Sequence, residues 1–202
     1  IVLVKYYIYL VLAPFYLVKR ELYKLAINRK IKKGVIPKNY NPLVSIIIPA
    51  WNEEIGVLTS INSVLANTYN NIEIVVVNDG STDQTDEIIT KYLKKYVKAP
   101  IPGKEITYVS KPNGGKGTAL NAGVAKSKGE IIVTVDADSA LDKHAIQNLV
   151  KYFQNPKIDA VVGNVKIGNN NTIVGMLQKL EYTFGFYFKR VHALFNAEYI
   201  FG

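Results

Sequence analysis

Two carboxylates one residue apart, Asp136 and Asp138, follow directly on an aliphatic run, Ile131-Ile132-Val133-Thr134-Val135. Carboxylate oxygens at that spacing can grip a hard divalent cation whose remaining positions are filled by phosphates. Read alone, such a pair is equally a helix cap and a solvated loop acid. Three other stretches offer complementary chemistry. Glu53 closes Pro49-Ala50-Trp51-Asn52-Glu53, and Asp79 lies in Asn78-Asp79-Gly80-Ser81-Thr82-Asp83. Lys116 sits in the glycine-rich Lys111-Pro112-Asn113-Gly114-Gly115-Lys116-Gly117-Thr118. A carboxylate accepts from an N–H donor, glycines allow the backbone to approach a bulky anion, and a lysine supplies charge. The glycine stretch lacks the spacing of a Walker loop and of a dinucleotide fingerprint.

Each candidate follows an element that must position it. Residues 44–48, 72–77, 106–109 and 131–135 are aliphatic runs that predict strands, the last of them buried in a parallel sheet. Helical spacing predicts a helix opening at Asn52-Glu53-Glu54, with Ile55, Leu58, Ile61, Val64 and Leu65 on its apolar face. A second helix over 84–96 has Ser81 or Asp83 as cap and Ile88, Ile89, Tyr92, Leu93 and Tyr96 inward. A third runs through Leu120, Val124 and Ala125 behind Thr118 or Asn113. A fourth covers 141–153, capped by Asp142, with Ile146, Leu149, Val150 and Phe153 inward. Residues 159–165 predict a further strand and 173–195 a long aromatic helix. Alternating strands and helices predict an α/β fold, a mostly parallel sheet covered on both faces. Ligands of such sheets sit beyond the carboxyl ends of the strands, so the four stretches converge on one edge.

Composition removes several classes. The 202 residues contain no cysteine, so disulfides and thiolate metal sites are excluded. His144 and His192 are the only histidines, which argues against a zinc centre or a histidine-based triad. The net charge of +9 is concentrated in Lys19, Arg20, Lys24, Arg29, Lys30, Lys32 and Lys33, opposed by Glu21 alone. So local a charge predicts no nucleic-acid partner. It follows an apolar stretch, residues 1–18, interrupted by Lys5 and Pro14 and rich in tyrosine. The pattern predicts the end of a transmembrane helix, then a basic juxtamembrane helix to residue 33 on anionic lipid, with the following domain cytoplasmic. Residues 34–42 read as a linker, and 43–202 as the catalytic domain. His192 is expected to be structural.

The four motifs, taken in order and spacing, resemble the amino-terminal half of a family 2 inverting glycosyltransferase over roughly residues 43–165. They are most similar to the membrane-bound processive synthases of poly-N-acetylglucosamine, hyaluronan, chitin and cellulose. The resemblance implies a GT-A-type, Rossmann-like nucleotide-sugar-binding domain. It implies that Pro49, Ala50, Trp51 and Glu53 line the uridine pocket and that Asp79 bonds the uracil. Trp51 stands where the family often has tyrosine. Lys116 would lie near the diphosphate, Asp136 would contact donor ribose or sugar, and Asp138 would hold Mg²⁺ or Mn²⁺. The partners implied are a UDP-sugar donor, a saccharide or polysaccharide acceptor and membrane lipid, at the cell membrane. N-acetylglucosamine is the preferred sugar. A dolichyl-phosphate mannose synthase-like transferase and a non-catalytic nucleotide-sugar-binding module are the alternatives. The chain starts at Ile1 and stops at Gly202, and the family's catalytic base is expected beyond Gly202. The 202 residues are therefore expected to bind donor without turning it over.

Overall fold

A computed structural model describes residues 2–34, 39–166, 168 and 172–194. The chain divides into two compact units, Tyr40–Phe153 and Ile1–Asn39 with Gln154–Gly202.

The first unit is a four-stranded sheet in the order β3-β2-β1-β4. Its strands are β1 (Val44–Ala50), β2 (Ile72–Asp79), β3 (Lys104–Lys111) and β4 (Ile131–Thr134), and every pairing is parallel. The period-two alternation of strand side chains divides the core between two faces. Val44, Ile46, Ile48, Ile72, Ile74 and Val76 pack on one side, against Val57, Ile61 and Val64 of α2 (Val57–Leu65), Ile89 of α3 (Thr85–Tyr96) and Ile146 and Val150 of α5 (Ala145–Phe153). Ile47, Val75 and Val77 pack on the other, against Ala119 of α4 (Lys116–Lys126). The expected parallel sheet with both faces covered is therefore present.

Several boundaries differ from expectation, each for a physical reason. β4 is an edge strand paired only to β1, so Ile132 is 44% exposed where a fully buried strand was expected. α2 begins at Val57 and not at Asn52, and Ile55 is 91% exposed. Residues 52–54 instead bond to the loop after β2. On α4 the buried positions are Ala119 and Gly123, while Val124 is 45% exposed. A Cβ on Gly123 would lie 2.4 Å from Ile47 Cγ2, so only glycine lets the helix pack this close to β1. α5 starts at Ala145, because Asp142 Oδ1 accepts the His144 N–H at 2.8 Å and closes a turn first. Residues 159–165 form no strand. Val162 and Val165 are 53% and 54% exposed, and no described strand pairs with them.

In the second unit α1 (Val2–Lys32) is one continuous helix across both the apolar and the basic stretch. Among the described residues no helix is long and apolar enough to cross a membrane, so the expected spanning segment is not found. Lys5, Pro14 and the tyrosines dilute its apolar character. Pro14 lies inside the helix and has no N–H to donate to Leu10, four residues back. The Tyr187 hydroxyl of α6 (Ile173–Leu194) donates to that Leu10 carbonyl at 3.0 Å. Tyr9 packs on Phe188 alongside, ring centroids 5.5 Å apart. The His192 side chain and residues 35–38 of the expected linker lie outside the described residues.

Candidate nucleotide-sugar site

The carboxyl ends of β1, β2, β3 and β4 carry the loops predicted to hold the chemistry, and the structure ties them together. Asn52, with φ of 55°, opens the loop after β1. Its N–H donates to Ser81 Oγ at 3.0 Å, and its Oδ1 accepts the Thr82 N–H at 2.8 Å. The Glu53 N–H donates to Thr85 Oγ1 at 2.8 Å, and the Glu54 N–H to Asp83 Oδ2 at 3.2 Å. Glu54 Oε2 in turn accepts the Gln84 N–H at 3.0 Å. Asp83 also accepts the Thr85 N–H at 3.0 Å, but the N-cap of α3 is Gln84, which makes no side-chain cap bond, so neither expected cap residue stands there; Ser81 serves the neighbouring loop.

Pro49 and Ala50 end β1 beside Val77 and Asn78 of β2, and Ala50 is buried. Trp51 follows with 56% of its surface exposed, an aromatic face open to a planar ligand. Glu53 is half-buried. Burial, then the charges of Asp138, Asp83 and Asp136, push its carboxyl above the ordinary carboxylate range. The same grouping is visible in the backbone. A Cβ on Gly56 would lie 3.1 Å from the Ala137 carbonyl oxygen, 3.1 Å from Asp138 Cα and 3.4 Å from Glu53 Oε2. Glycine at 56 is what lets the β1 loop close onto the Asp136–Asp138 loop. Ser60 Oγ of α2 donates to the Asp136 carbonyl at 3.3 Å and fixes that loop from below. Lys116, in the first turn of α4, donates to Asp136 Oδ1 at 2.6 Å, with both side chains more than half exposed. No side chain caps α4, whose first turn faces its loop with Gly115 at φ 84°.

Asp79 is set apart from these acids and is almost sealed. Its side chain is 3% exposed, and its Oδ1 accepts from Lys111 Nζ. The Gly114 N–H reaches Oδ1 at 3.1 Å and Oδ2 at 3.3 Å, and Asn113 Nδ2 donates to the Asp79 carbonyl at 3.0 Å. Burial pushes the carboxyl up, but Lys111 and the amides of Gly114 and Gly115 outweigh it and hold the group below its ordinary value. Sequence reading missed Lys111, although it ends β3 directly beside Asp79 at the end of β2.

The chemistry of the donor set fits a hard divalent cation. Asp138 is exposed, and the raised Glu53 carboxyl shows that Glu53, Asp83, Asp136 and Asp138 repel one another. Among the described residues no group of three or more acids or histidines could hold a metal by itself.

Comparison with known proteins agrees with this geometry. Residues 45–201 match the family model described as glycosyl transferase family 2. The chain is 35% identical over 141 residues to a poly-beta-1,6-N-acetyl-D-glucosamine synthase of Staphylococcus epidermidis, covering 69% of this chain and 32% of that protein. It thus spans about a third of the length of that curated relative. A mannosyltransferase of Pyrobaculum calidifontis, solved with GDP-Man and Mn2+, is similar at TM-score 0.57 and 26% identity, over 79% of this chain and 46% of that one. TarS of S. aureus is similar at TM-score 0.52 and 26% identity, over 65% and 23%.

Proposed function

Because the chain belongs to glycosyl transferase family 2, we propose that its sheet edge binds a UDP-sugar together with Mg²⁺ or Mn²⁺, for inverting transfer of the sugar to a growing polysaccharide. N-acetylglucosamine is the preferred sugar, supported by the likeness to a poly-beta-1,6-N-acetyl-D-glucosamine synthase. The observation that carries the reading is the convergence of Glu53, Lys116, Asp136 and Asp138 from three loops at the same sheet edge as the nearly buried Asp79.

The roles follow from chemistry. Trp51 offers a stacking face for the base, with Pro49 and Ala50 forming the floor beside it. Asp79 accepts the ring N–H of the base at Oδ2, the oxygen with the longer Gly114 contact. Lys116 and the uncapped start of α4 face the diphosphate. On its arrival Lys116 exchanges Asp136 for phosphate oxygens, and Asp136 is released toward ribose or sugar. Asp138, with Glu53 beside it, would hold the cation, whose positive charge would offset the negative charge of a departing diphosphate. Attack on the sugar requires a general base to take the acceptor proton.

Calorimetric titration with UDP, UDP-N-acetylglucosamine, UDP-glucose and GDP-mannose, with and without Mn²⁺, tests this. Asp138→Asn should remove most of the Mn²⁺-dependent part of UDP binding, roughly tenfold or more in affinity. Unchanged Mn²⁺ dependence would overturn the metal assignment. A GDP-mannose donor is a second reading, favoured by the likeness to the P. calidifontis mannosyltransferase. Tighter binding of GDP-mannose than of every UDP-sugar would select it.

We propose further that α1 brings this domain to anionic lipid. Val4, Ile8, Leu10, Val11, Phe15 and Val18 are exposed on it, and its last turn holds Arg29, Lys30 and Lys32.

A further inference from the structure

Lys111 takes part in none of the roles above, yet it is the most heavily committed cation of the site edge. Its three ammonium protons are all placed. One goes to Asp79 Oδ1, one to the Pro112 carbonyl at 2.6 Å and one to Thr118 Oγ1 at 3.0 Å. With no donor left over, it is not built to touch a ligand itself. What it does is join three pieces of chain: the end of β2, the start of the glycine loop and the first turn of α4. The packing has no slack. A Cβ on Gly114 would lie 2.6 Å from Thr118 Oγ1 and 3.1 Å from Lys111 Nζ, and one on Gly80, at φ 68°, 2.5 Å from the Asn113 nitrogen. This arrangement covers all but 3% of the Asp79 side chain, leaving only an edge for a base to meet, and Lys111 is the charged group acting on it.

We infer that Lys111 is a positioning residue for base selectivity: by pairing with Asp79 it keeps that buried carboxylate an acceptor only, so the pocket takes a base that presents a ring N–H and refuses one that presents a bare ring nitrogen. The inference rests on the nucleotide reading above and deepens it. Uracil carries a ring N–H between two carbonyls, whereas cytosine carries an unprotonated nitrogen at the same place. An ionised Asp79 receives the first and leaves two acceptors face to face with the second. A protonated Asp79 would reverse the preference, because it becomes a donor. Burial without Lys111 drives a carboxyl toward that protonated state. The lysine therefore fixes which base is read, although it touches none.

UDP and CDP are the probes, titrated calorimetrically into the purified chain between about pH 5.5 and about pH 8, a range spanning the shift expected of a buried, unpaired carboxyl. The wild type should prefer UDP by roughly 10- to 100-fold, the effect of one mismatched buried acceptor, with a ratio flat across the range. Lys111→Met should weaken UDP binding at the acid end and raise CDP binding there, so that the ratio collapses as pH falls. Lys111→Arg should restore a flat ratio. A folded Lys111→Met chain with the wild-type ratio at every pH would overturn the inference. So would a wild-type ratio that itself titrates in this range, a test needing no variant should Lys111→Met fail to fold. If the wild type binds neither nucleotide, the nucleotide reading itself fails. If it binds UDP and Asp79→Asn leaves UDP and CDP affinities unchanged, nucleotide binding stands and the role of Asp79 and Lys111 falls.

Discussion

At Glu53, burial and three carboxylates, Asp138, Asp83 and Asp136, act in one direction and favour the proton. A carboxyl raised in the folded state binds more protons there than in the unfolded chain. Its contribution to stability is therefore most favourable at low pH and declines as pH rises from the ordinary value, near 4.5, through the raised one. At neutral pH the folded protein carries a charge it disfavours. Glu53→Gln should raise stability at neutral pH by less than ~1 kcal/mol, because solvent screens a half-buried group, and so raise the melting temperature slightly. The gain should vanish below the ordinary carboxylate pKa. Thermal melts across pH measure it, and a variant less stable at neutral pH would show that Glu53 makes a stabilising contact instead. Asp79 has the opposite sign. Lys111 and two amides hold it ionised, so its contribution is present above its ordinary value and lost as pH falls through the lowered one. Two acids on one sheet edge thus answer acid in opposite ways, one left to repel its neighbours and the other neutralised.

At the scale of elements, the proline in α1 shows how a local defect is repaired from a distance. Pro14 leaves the Leu10 carbonyl without its helical donor, and Tyr187 of α6 supplies one. Tyr187→Phe should destabilise the helix pair by about 1 kcal/mol. In a Pro14→Ala background, where the backbone again supplies the donor, the same change should be nearly neutral. Equal effects in both backgrounds, measured by urea unfolding, would show that the hydroxyl is not acting through Leu10. Neither residue announces this in sequence, since 177 positions separate Tyr187 from Leu10. The same limit explains the rest of what sequence reading missed. β1 and β2 were legible because central strands are continuous aliphatic runs, and α3 because its apolar spacing is regular. β4 looked like them but, among the described residues, has a neighbour on one side only, which no local pattern reveals. Residues 52–54 carry helix-opening residue types, yet their polar groups are bonded to the loop 81–85, roughly thirty positions away. Asp79 was legible from the strand it ends. Lys111 was not, because its importance comes from parallel register, which sets it beside Asp79 across two strands.

For the molecule as a whole, charge and apolar surface are segregated along the chain. The sheet unit buries most of its strand aliphatics, whereas α1 exposes Val4, Ile8, Val11, Phe15, Val18, Leu22 and Leu25 and ends in a basic turn. On the lipid reading proposed above, the exposed apolar residues of α1 would meet acyl chains and its basic last turn the anionic headgroups. A juxtamembrane cation near an anionic surface contributes about 1 kcal/mol, and that contribution is screened by salt. Reversing Arg29, Lys30 and Lys32 to glutamate together should therefore weaken binding to phosphatidylserine-containing vesicles by more than about 100-fold at physiological salt. Binding to neutral vesicles, which depends on the apolar face, should change little. Flotation of the purified chain and its variant on both vesicle types, at low and high salt, separates the two contributions. If the wild type floats equally with neutral and anionic vesicles, and salt has no effect, the basic turn is not a lipid contact. If it floats with neither, the exposed apolar face of α1 is covered by protein and not by lipid.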